Sequence, residues 1–285
     1  MGDLYIVGTP IGNLNDITIR ALDVIKNVDI IACEDTRQTL KLLNHFGIKN
    51  KLVAYHKFNE KEKSKSLIKK LCSGEDIALV TDAGTPCVSD PGYYIVKEAR
   101  ENNINVIAVP GASACISALS VSGLDSSQFS FIGFLPVDNR SYKEEIKKIK
   151  ESKIQTFIIY ESPKRIVKTI EKLAIEFINS HVYIASDLTK IHERGFYGKI
   201  EEVLEIIEND SNIEKGEYVI VLQKENVADP IDNNPLSLES ILIDYMIKNN
   251  ISIKEAIKEI CQQNDNIKKN DLYEASLKLK SMFEK

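Results

Sequence analysis

Short runs of consecutive apolar residues alternate, through the first half of the chain, with stretches in which apolar residues recur every three or four positions. The runs LYIVG (4–8), DIIAC (29–33), KLVAY (51–55), DIALVT (76–81) and NVIAV (105–109) are rich in aliphatic and β-branched side chains and bounded by polar or turn residues. Runs of that length and make-up predict strands buried on both faces. Between them, Ala21, Leu22 and Ile25 predict one helix, with Asp16 placed to cap it, and Leu40, Leu43 and Phe46 predict a second. Leu67, Ile68 and Leu71 fall at helical spacing, 94–101 reads as a further helix, and the small residues of 112–121 as another. Strand and helix in alternation predict an α/β lobe with a mostly parallel sheet covered on both faces.

The rhythm changes after Leu135-Pro136. SFIGF (130–134), TFIIY (156–160), VYIAS (182–186) and YVIVL (218–222) predict strands, and RGFYGKI (194–200) a further short one. Helices are expected near 141–151, 164–178 and 200–208. Strands are more frequent here relative to helices, so the second lobe is expected to hold a mixed, partly antiparallel sheet. The turn-rich stretch ENVADPIDNNP (225–235) reads as a linker, with three helices beyond it near 237–248, 252–263 and 270–283. Ser252 and Glu255 have the spacing of a capping box. The expected division is an N-terminal lobe over 1–135, a second lobe over 136–226, and a linker with a helical tail over 227–285.

Composition narrows this picture. Apolar residues at 43% and charged residues at 28% of 285 positions fit a soluble protein of two lobes and an appendage. No run of about 18 apolar residues occurs, so no membrane span is expected. The start, MGDLYIVGTPIGN, lacks a basic region and a long apolar core, so no secretory signal is expected. Five irregularly spaced cysteines, none at C-x-x-C spacing, read as reduced thiols in a cytoplasm and support no zinc site. A net charge of −5 is the wrong sign for a nucleic-acid binder as a whole, so such a partner has to be met by local patches. One patch runs from Lys51 to Lys70, with seven lysines against two glutamates; alone, its plainer reading is a solvated helix face.

Three Gly/Pro bends each follow a strand of the first lobe: VGTPIGN (7–13), TDAGTPCVSDPG (81–92) and VPGASA (109–114). In an open parallel sheet such bends gather at the carboxyl edge of the strands, where ligands bind. Glycine lets a ligand approach the backbone, proline pre-forms the turn, and small residues let a helix start come close with its free N–H groups. Neither a G-x-x-x-x-G-K-[ST] loop nor a G-x-G-x-x-G turn is present, so the ligand need not be a nucleotide phosphate. A strand-end Asp beside open backbone suits a ligand with a hydroxyl or ammonium group, a carboxylate and an apolar ring, as in S-adenosylmethionine. Asp90, just before Pro91, reads most simply as a cap for the helix that follows.

TPIGNL, EDTR (34–37), AYHKFNE (54–60), TDAGTP (81–86), SDPG (89–92), VPGASA, GFLP (133–136), YESPKR (160–165) and LTK (188–190) fall in the order found in the tetrapyrrole methylase superfamily. The chain resembles, within it, the subgroup that 2′-O-methylates a cytidine of small-subunit (16S) ribosomal RNA. Thr81 stands where Ser is common there, and Asp187 where a Glu commonly precedes LTK. The resemblance implies two α/β lobes with S-adenosylmethionine between them, and a homodimer. It implies cofactor contacts from Pro10, Gly12, Asp82, Ala83, Gly84, Thr85, Pro110, Gly111, Ala112 and Ser113.

Methyl transfer to a ribose hydroxyl needs in-line positioning and a group to accept the proton. The candidates taken from the motifs are Asp35, Arg37, Glu161, Lys190 and Glu193, with Glu34 beside them; Lys190 qualifies if desolvation lowers its pKa. Asp35 and Arg37 alone read as a helix-start carboxylate and a surface arginine, and the family pattern favours a cleft role. His56, Asn59, Arg165, Lys268 and Lys269 are candidate RNA contacts, the last two in a tail resembling an RNA-docking module. Its plainer reading is a bundle that stabilises a dimer. Two other readings remain: a porphyrinoid C-methyltransferase, and a ligand sensor without activity whose tail binds nucleic acid.

Overall fold

The structure is a computed structural model that describes residues 1–225, 237–249, 251–263 and 269–283. The chain divides into two compact units, Met1–Glu225 and Asn226–Lys285.

The first unit opens with five strands, β1 (Leu4–Val7), β2 (Ile30–Cys33), β3 (Leu52–Ala54), β4 (Ile77–Val80) and β5 (Val106–Val109), in the sheet order β3-β2-β4-β1-β5. All four pairings are parallel. The interior strands β2 and β4 are buried at every position, because helices cover both faces; the edge strands β3 and β5 are mostly half-buried. One face packs Leu4, Ile30, Ile77 and Leu79 under α3 (Glu60–Cys72) and α4 (Tyr93–Glu101). The other packs Val7, Ile31, Ala78 and Val80 against α1 (Ile19–Asn27) and α2 (Thr36–His45). Thr18, not Asp16, caps α1: its hydroxyl accepts from the Ala21 amide at 3.1 Å. A 3-10 turn at Leu14–Asp16 takes up Asp16, which delays the helix by one turn. The lysines of α3 lie opposite its buried Ser64, Leu67, Ile68 and Leu71, so that segment is an amphipathic helix with a solvated face.

α5 (Ala114–Val121) leads to the second sheet, formed by β6 (Phe129–Phe134), β7 (Thr156–Glu161), β8 (His181–Ser186), β9 (Arg194–Lys199) and β10 (Tyr218–Gln223) in the order β6-β7-β10-β8-β9. β6 runs parallel to β7 and the other pairings are antiparallel, the mixed sheet expected. Because β6 pairs here, the change of sheet falls ahead of Phe129 and not at Leu135-Pro136; the Gly/Pro turn at 133–136 is the exit from β6 and not the boundary between the sheets.

Strand alternation gives this sheet two apolar faces. Phe157, Ile159, Ile184, Ile220 and Leu222 pack under α6 (Asn139–Glu151), α7 (Ile166–Glu176) and α8 (Ile200–Glu208). Ile158, Ala185, Val219 and Val221 face the other way and meet Cys115, Ala118 and Leu119 of α5, with Ile11 against them. The small residues of α5 therefore pack on the second sheet, and with Ile11 they bring the bends after β1 and β5 against Tyr160 and Val219.

The second unit holds α9 (Leu238–Asn249), α10 (Ile253–Gln263) and α11 (Lys269–Phe283), packed on Leu242, Ala256, Ile260, Leu272 and Ala275. The capping box at its second helix forms: Ser252 N donates to Glu255 at 2.9 Å, and Glu255 N to the Ser252 hydroxyl at 3.5 Å. The expected linker lies almost wholly, and Lys268 entirely, outside the described residues.

Candidate active site

The three bends meet on one edge of the first sheet. Thr9 and Gly84 exchange backbone hydrogen bonds of 2.9 and 3.1 Å, and the Thr9 hydroxyl donates to the Thr81 carbonyl at 3.2 Å. Gly8 and Gly111 pass so close that a Cβ on Gly111 would lie 2.7 Å from the Gly8 carbonyl oxygen, which leaves no room for any side chain. The Thr85 hydroxyl donates to the Ala112 carbonyl at 3.2 Å. Glycines and short hydroxyls thus tie the bends after β1, β4 and β5 into one wall.

Between this wall and the second sheet lies a cavity of about 400 Å³. Its first-lobe side is formed by Ile11, the backbone run Ala83–Thr85, Asp90 and the start of α5 at Ser113 and Ala114; its second-lobe side by Tyr160, Leu188, Glu217 and Val219. Of the ten expected cofactor contacts, Ala83, Gly84, Thr85 and Ser113 line this cavity. Pro10 and Asp82 line a neighbouring cavity of about 300 Å³ with Gln38 and Lys41. Gly12, Pro110, Gly111 and Ala112 line neither and hold the wall: the Pro110 carbonyl accepts from Thr18 at 3.4 Å, and Gly12 packs on the turn at 188–190.

The expected catalytic groups divide in the same way. Glu161 ends β7, lines the cavity and is 3% exposed, but its carboxylate is already taken. It accepts from Ser162 N and the Thr169 hydroxyl, both at 2.7 Å, and pairs with Arg165 at 3.1 Å. Lys190 pairs with Asp187 at 2.6 Å and with Glu217 at 2.9 Å. Burial pulls its ammonium down as expected, yet these two bonds outweigh burial and hold it above the ordinary lysine value, so the idea of a desolvated, easily deprotonated Lys190 is corrected. Glu193 accepts from the Thr189 amide at 2.6 Å and braces that turn. Asp35 caps α2 and is held by the Arg37 guanidinium at 2.6 Å; hydrogen bonds from Arg37 lower its carboxyl to about 2, too acidic for an efficient base.

Two of the expected RNA contacts, Asn59 and Arg165, are engaged within the fold. Asn59 bonds back to its own loop, accepting from His56 N at 2.9 Å and donating to the Ala54 carbonyl at 3.2 Å. Arg165 donates to the Leu135 carbonyl at 3.0 Å besides pairing with Glu161. His56 is half-buried with Nδ1 unpartnered, and Lys269 is exposed at the start of α11.

Asp90 stands apart from its expected role. α4 takes Gly92 as its N-cap, with no side-chain cap, so Asp90 does not cap it. Ser89, at φ 65°, and Cys87, at φ 71°, hold left-handed conformations that turn the loop, and Asp90 lines the cavity instead. Burial first, then the nearby Glu34 and Asp82 carboxylates, push Asp90 up to about 7. Tyr160 and Glu217 also line the cavity without having been expected there: Tyr160 opens the YESPKR motif but ends an apolar strand run, and no motif of the sequence marks Glu217, just before β10.

A parallel sheet whose carboxyl-edge bends close a cavity against a second, mixed sheet defines a two-lobed α/β ligand-binding protein. The model of the Tetrapyrrole (Corrin/Porphyrin) Methylases matches residues 3–204, and the chain belongs to that family. It is 41% identical over 276 residues to Ribosomal RNA small subunit methyltransferase I of Halalkalibacterium halodurans, covering 95% of this chain and 93% of that one. It is 40% identical over 277 residues to the protein of the same name from Escherichia coli O157:H7, covering 97% and 95%. Among solved structures, a diphthine synthase superimposes with TM-score 0.57 at 16% identity, over 78% of this chain and 89% of that one. Uroporphyrin-III C-methyltransferase from Thermus thermophilus, complexed with S-adenyl homocysteine, does so with TM-score 0.54 at 15% identity, over 78% and 97%. At those identities the structural matches speak for the fold.

Proposed function

We propose that the chain is a cytoplasmic, S-adenosylmethionine-dependent methyltransferase that 2′-O-methylates the ribose of a cytidine in small-subunit ribosomal RNA. The observation that carries the substrate is the 40% identity, over 97% of the chain, to a protein named for that RNA. The observation that carries the cofactor is the make-up of the 400 Å³ cavity. Open backbone at Ala83–Thr85 and the start of α5, where Ser113 makes no side-chain cap, suit a carboxylate. Ile11, Leu188 and Val219 suit an apolar ring, and the Glu217 carboxylate suits a hydroxyl or ammonium group.

When bound there, the cofactor supplies an electrophilic methyl group. The chain's own part is to fix that group and exclude water: Gly84 and Thr85 form one wall, Tyr160 and Val219 the other. Lys190 neutralises Asp187 and Glu217 at the cavity rim. Half-buried His56 and exposed Lys269 remain the groups proposed to meet RNA, and Asp35 and Arg37 at the strand edge keep a proposed place in the cleft. The proposed homodimer has support in α5, which leaves Ile116 and Val121 at 52% and 56% exposure. No helix among the described residues is long and apolar enough to cross a membrane.

Incubation of the purified chain with methyl-labelled cofactor and small ribosomal subunits tests the reading, with uroporphyrinogen as the contrasting acceptor. Label in a cytidine ribose, located by mass spectrometry, is the expected result. Label in the pigment, or in neither acceptor, overturns it.

A further inference from the structure

The cavity has three acidic side chains on its walls, Asp90, Glu161 and Glu217, and two are spoken for by the ion pairs and hydrogen bonds described above. Among the described residues, no hydrogen bond or ion pair reaches the Asp90 carboxylate. Its place also differs from that of buried Glu161. The cavity floor is made by buried Leu188, Tyr218 and Val219, at 8%, 2% and 5% exposure, whereas Val88 and Phe134 beside Asp90 are 40% and 57% exposed. Asp90 therefore stands at the open rim, where a large acceptor has to approach a cofactor seated below.

Its surroundings point the same way. Glu34, after β2, and Asp82, after β4, face it from neighbouring strand ends, and Tyr160 feels it from the second lobe. Cys87 lies behind it in its own loop. No cation is among these groups. A carboxylate so placed gains by taking a proton, and two left-handed residues, Cys87 and Ser89, hold the loop that presents it.

We propose that Asp90 is the catalytic residue that accepts the proton of the acceptor hydroxyl. The proposal rests on the methyltransferase reading above. The ribose oxygen forms its bond to the methyl carbon while its proton passes to a carboxylate oxygen of Asp90. The sulfur–methyl bond breaks and its electron pair stays on sulfur, which loses its positive charge. Ionised Asp90 is required at the start, so the rate falls as pH drops through the range in which Asp90 gains a proton.

The test compares the full-length protein with Asp90→Asn and Asp90→Glu. S-Adenosylhomocysteine affinity is measured by calorimetry, and single-turnover methyl transfer to small ribosomal subunits is followed from about pH 5.5 to 9. For Asp90→Asn the expected result is affinity within about threefold of the parent and a rate lower by about 100-fold or more, with the acidic limb near pH 7 gone. Asp90→Glu keeps a limb and a reduced rate, and it alone is read should the Asn variant not fold. Parental rates with the limb intact overturn the proposal. So does a parent with no acidic limb, or an Asn variant whose only defect is weaker cofactor binding. If the parent itself transfers nothing to the subunits, the functional reading fails instead.

Discussion

Gly12 of the first lobe lies against the 188–190 turn of the second so closely that a Cβ would sit 2.8 Å from both the Leu188 carbonyl oxygen and Thr189 Oγ1. The next residue seals the contact, since Asn13 N donates to that same Thr189 oxygen at 3.0 Å. The glycine in TPIGN is thus a lobe-to-lobe contact that sets the width of the cavity. Gly12→Ala should cost about 1–3 kcal/mol in urea unfolding, the usual range for overpacking, and should weaken S-adenosylhomocysteine binding. Parental affinity would show that the turn yields without disturbing the cavity.

Glu161 is held for structure. Glu161→Ala leaves the buried Thr169 hydroxyl and the Ser162 amide without their acceptor, and Arg165 without its carboxylate. A loss of about 1–3 kcal/mol is expected by denaturant unfolding. Glu161→Gln, which keeps one acceptor oxygen, should recover part of it. Full stability in the alanine variant would show that water replaces these bonds.

Lys190 is expected to act through charge alone. Its ammonium sits above the ordinary lysine value, and an arginine at the same place cannot take up a proton at any working pH. Lys190→Arg should therefore keep much of the turnover, while Lys190→Ala, which leaves Asp187 and Glu217 unpaired at the rim, should raise the KM for cofactor. An inactive Lys190→Arg protein with intact cofactor binding would return Lys190 to the role of proton acceptor.

Asp90 should mark the stability of the ligand-free protein. Its folded value, about 7, lies above the unfolded one near 3.9, so the folded state holds a proton that the unfolded chain has released. That contribution is fully present below about pH 4 and is lost as pH rises to about 7. Asp90→Asn should accordingly melt higher than the parent above pH 7, with the gap closing in acid. Thermal melts by circular dichroism across pH check this; a lower melting temperature for the variant at pH 8 would remove the argument from crowded carboxylates.

The tail is a unit with its own core, so a chain ending at Glu225 should fold and bind S-adenosylhomocysteine as the whole protein does. Weaker, less salt-dependent association with small ribosomal subunits is expected if the tail docks RNA. Unchanged subunit binding would leave the tail a role in stability or assembly.

The local patterns were strong enough to fix the elements. Short, unbroken apolar runs bounded by turn residues, such as Ile30–Cys33 and Ile77–Val80, predict central strands, and the 3.6-residue recurrences between them predict helices that bury one face. The bends were legible too, because glycine and proline report backbone requirements directly. What the pattern lacks is distance across the chain. Asp16 and Thr18 both suit a helix cap, and only the turn at Leu14–Asp16 chose between them. β6 reads the same in either lobe until β7 pairs with it. Most of all, charge acquires its meaning from neighbours far away in sequence. Lys190 is held protonated by Glu217, and Asp90 is raised by Glu34 and Asp82 on other strand ends. The sequence by itself determined the layers and the edge at which the three bends gather. Tertiary structure alone decided which acids there are free to react, since electrostatic energies depend on separations that only folding sets.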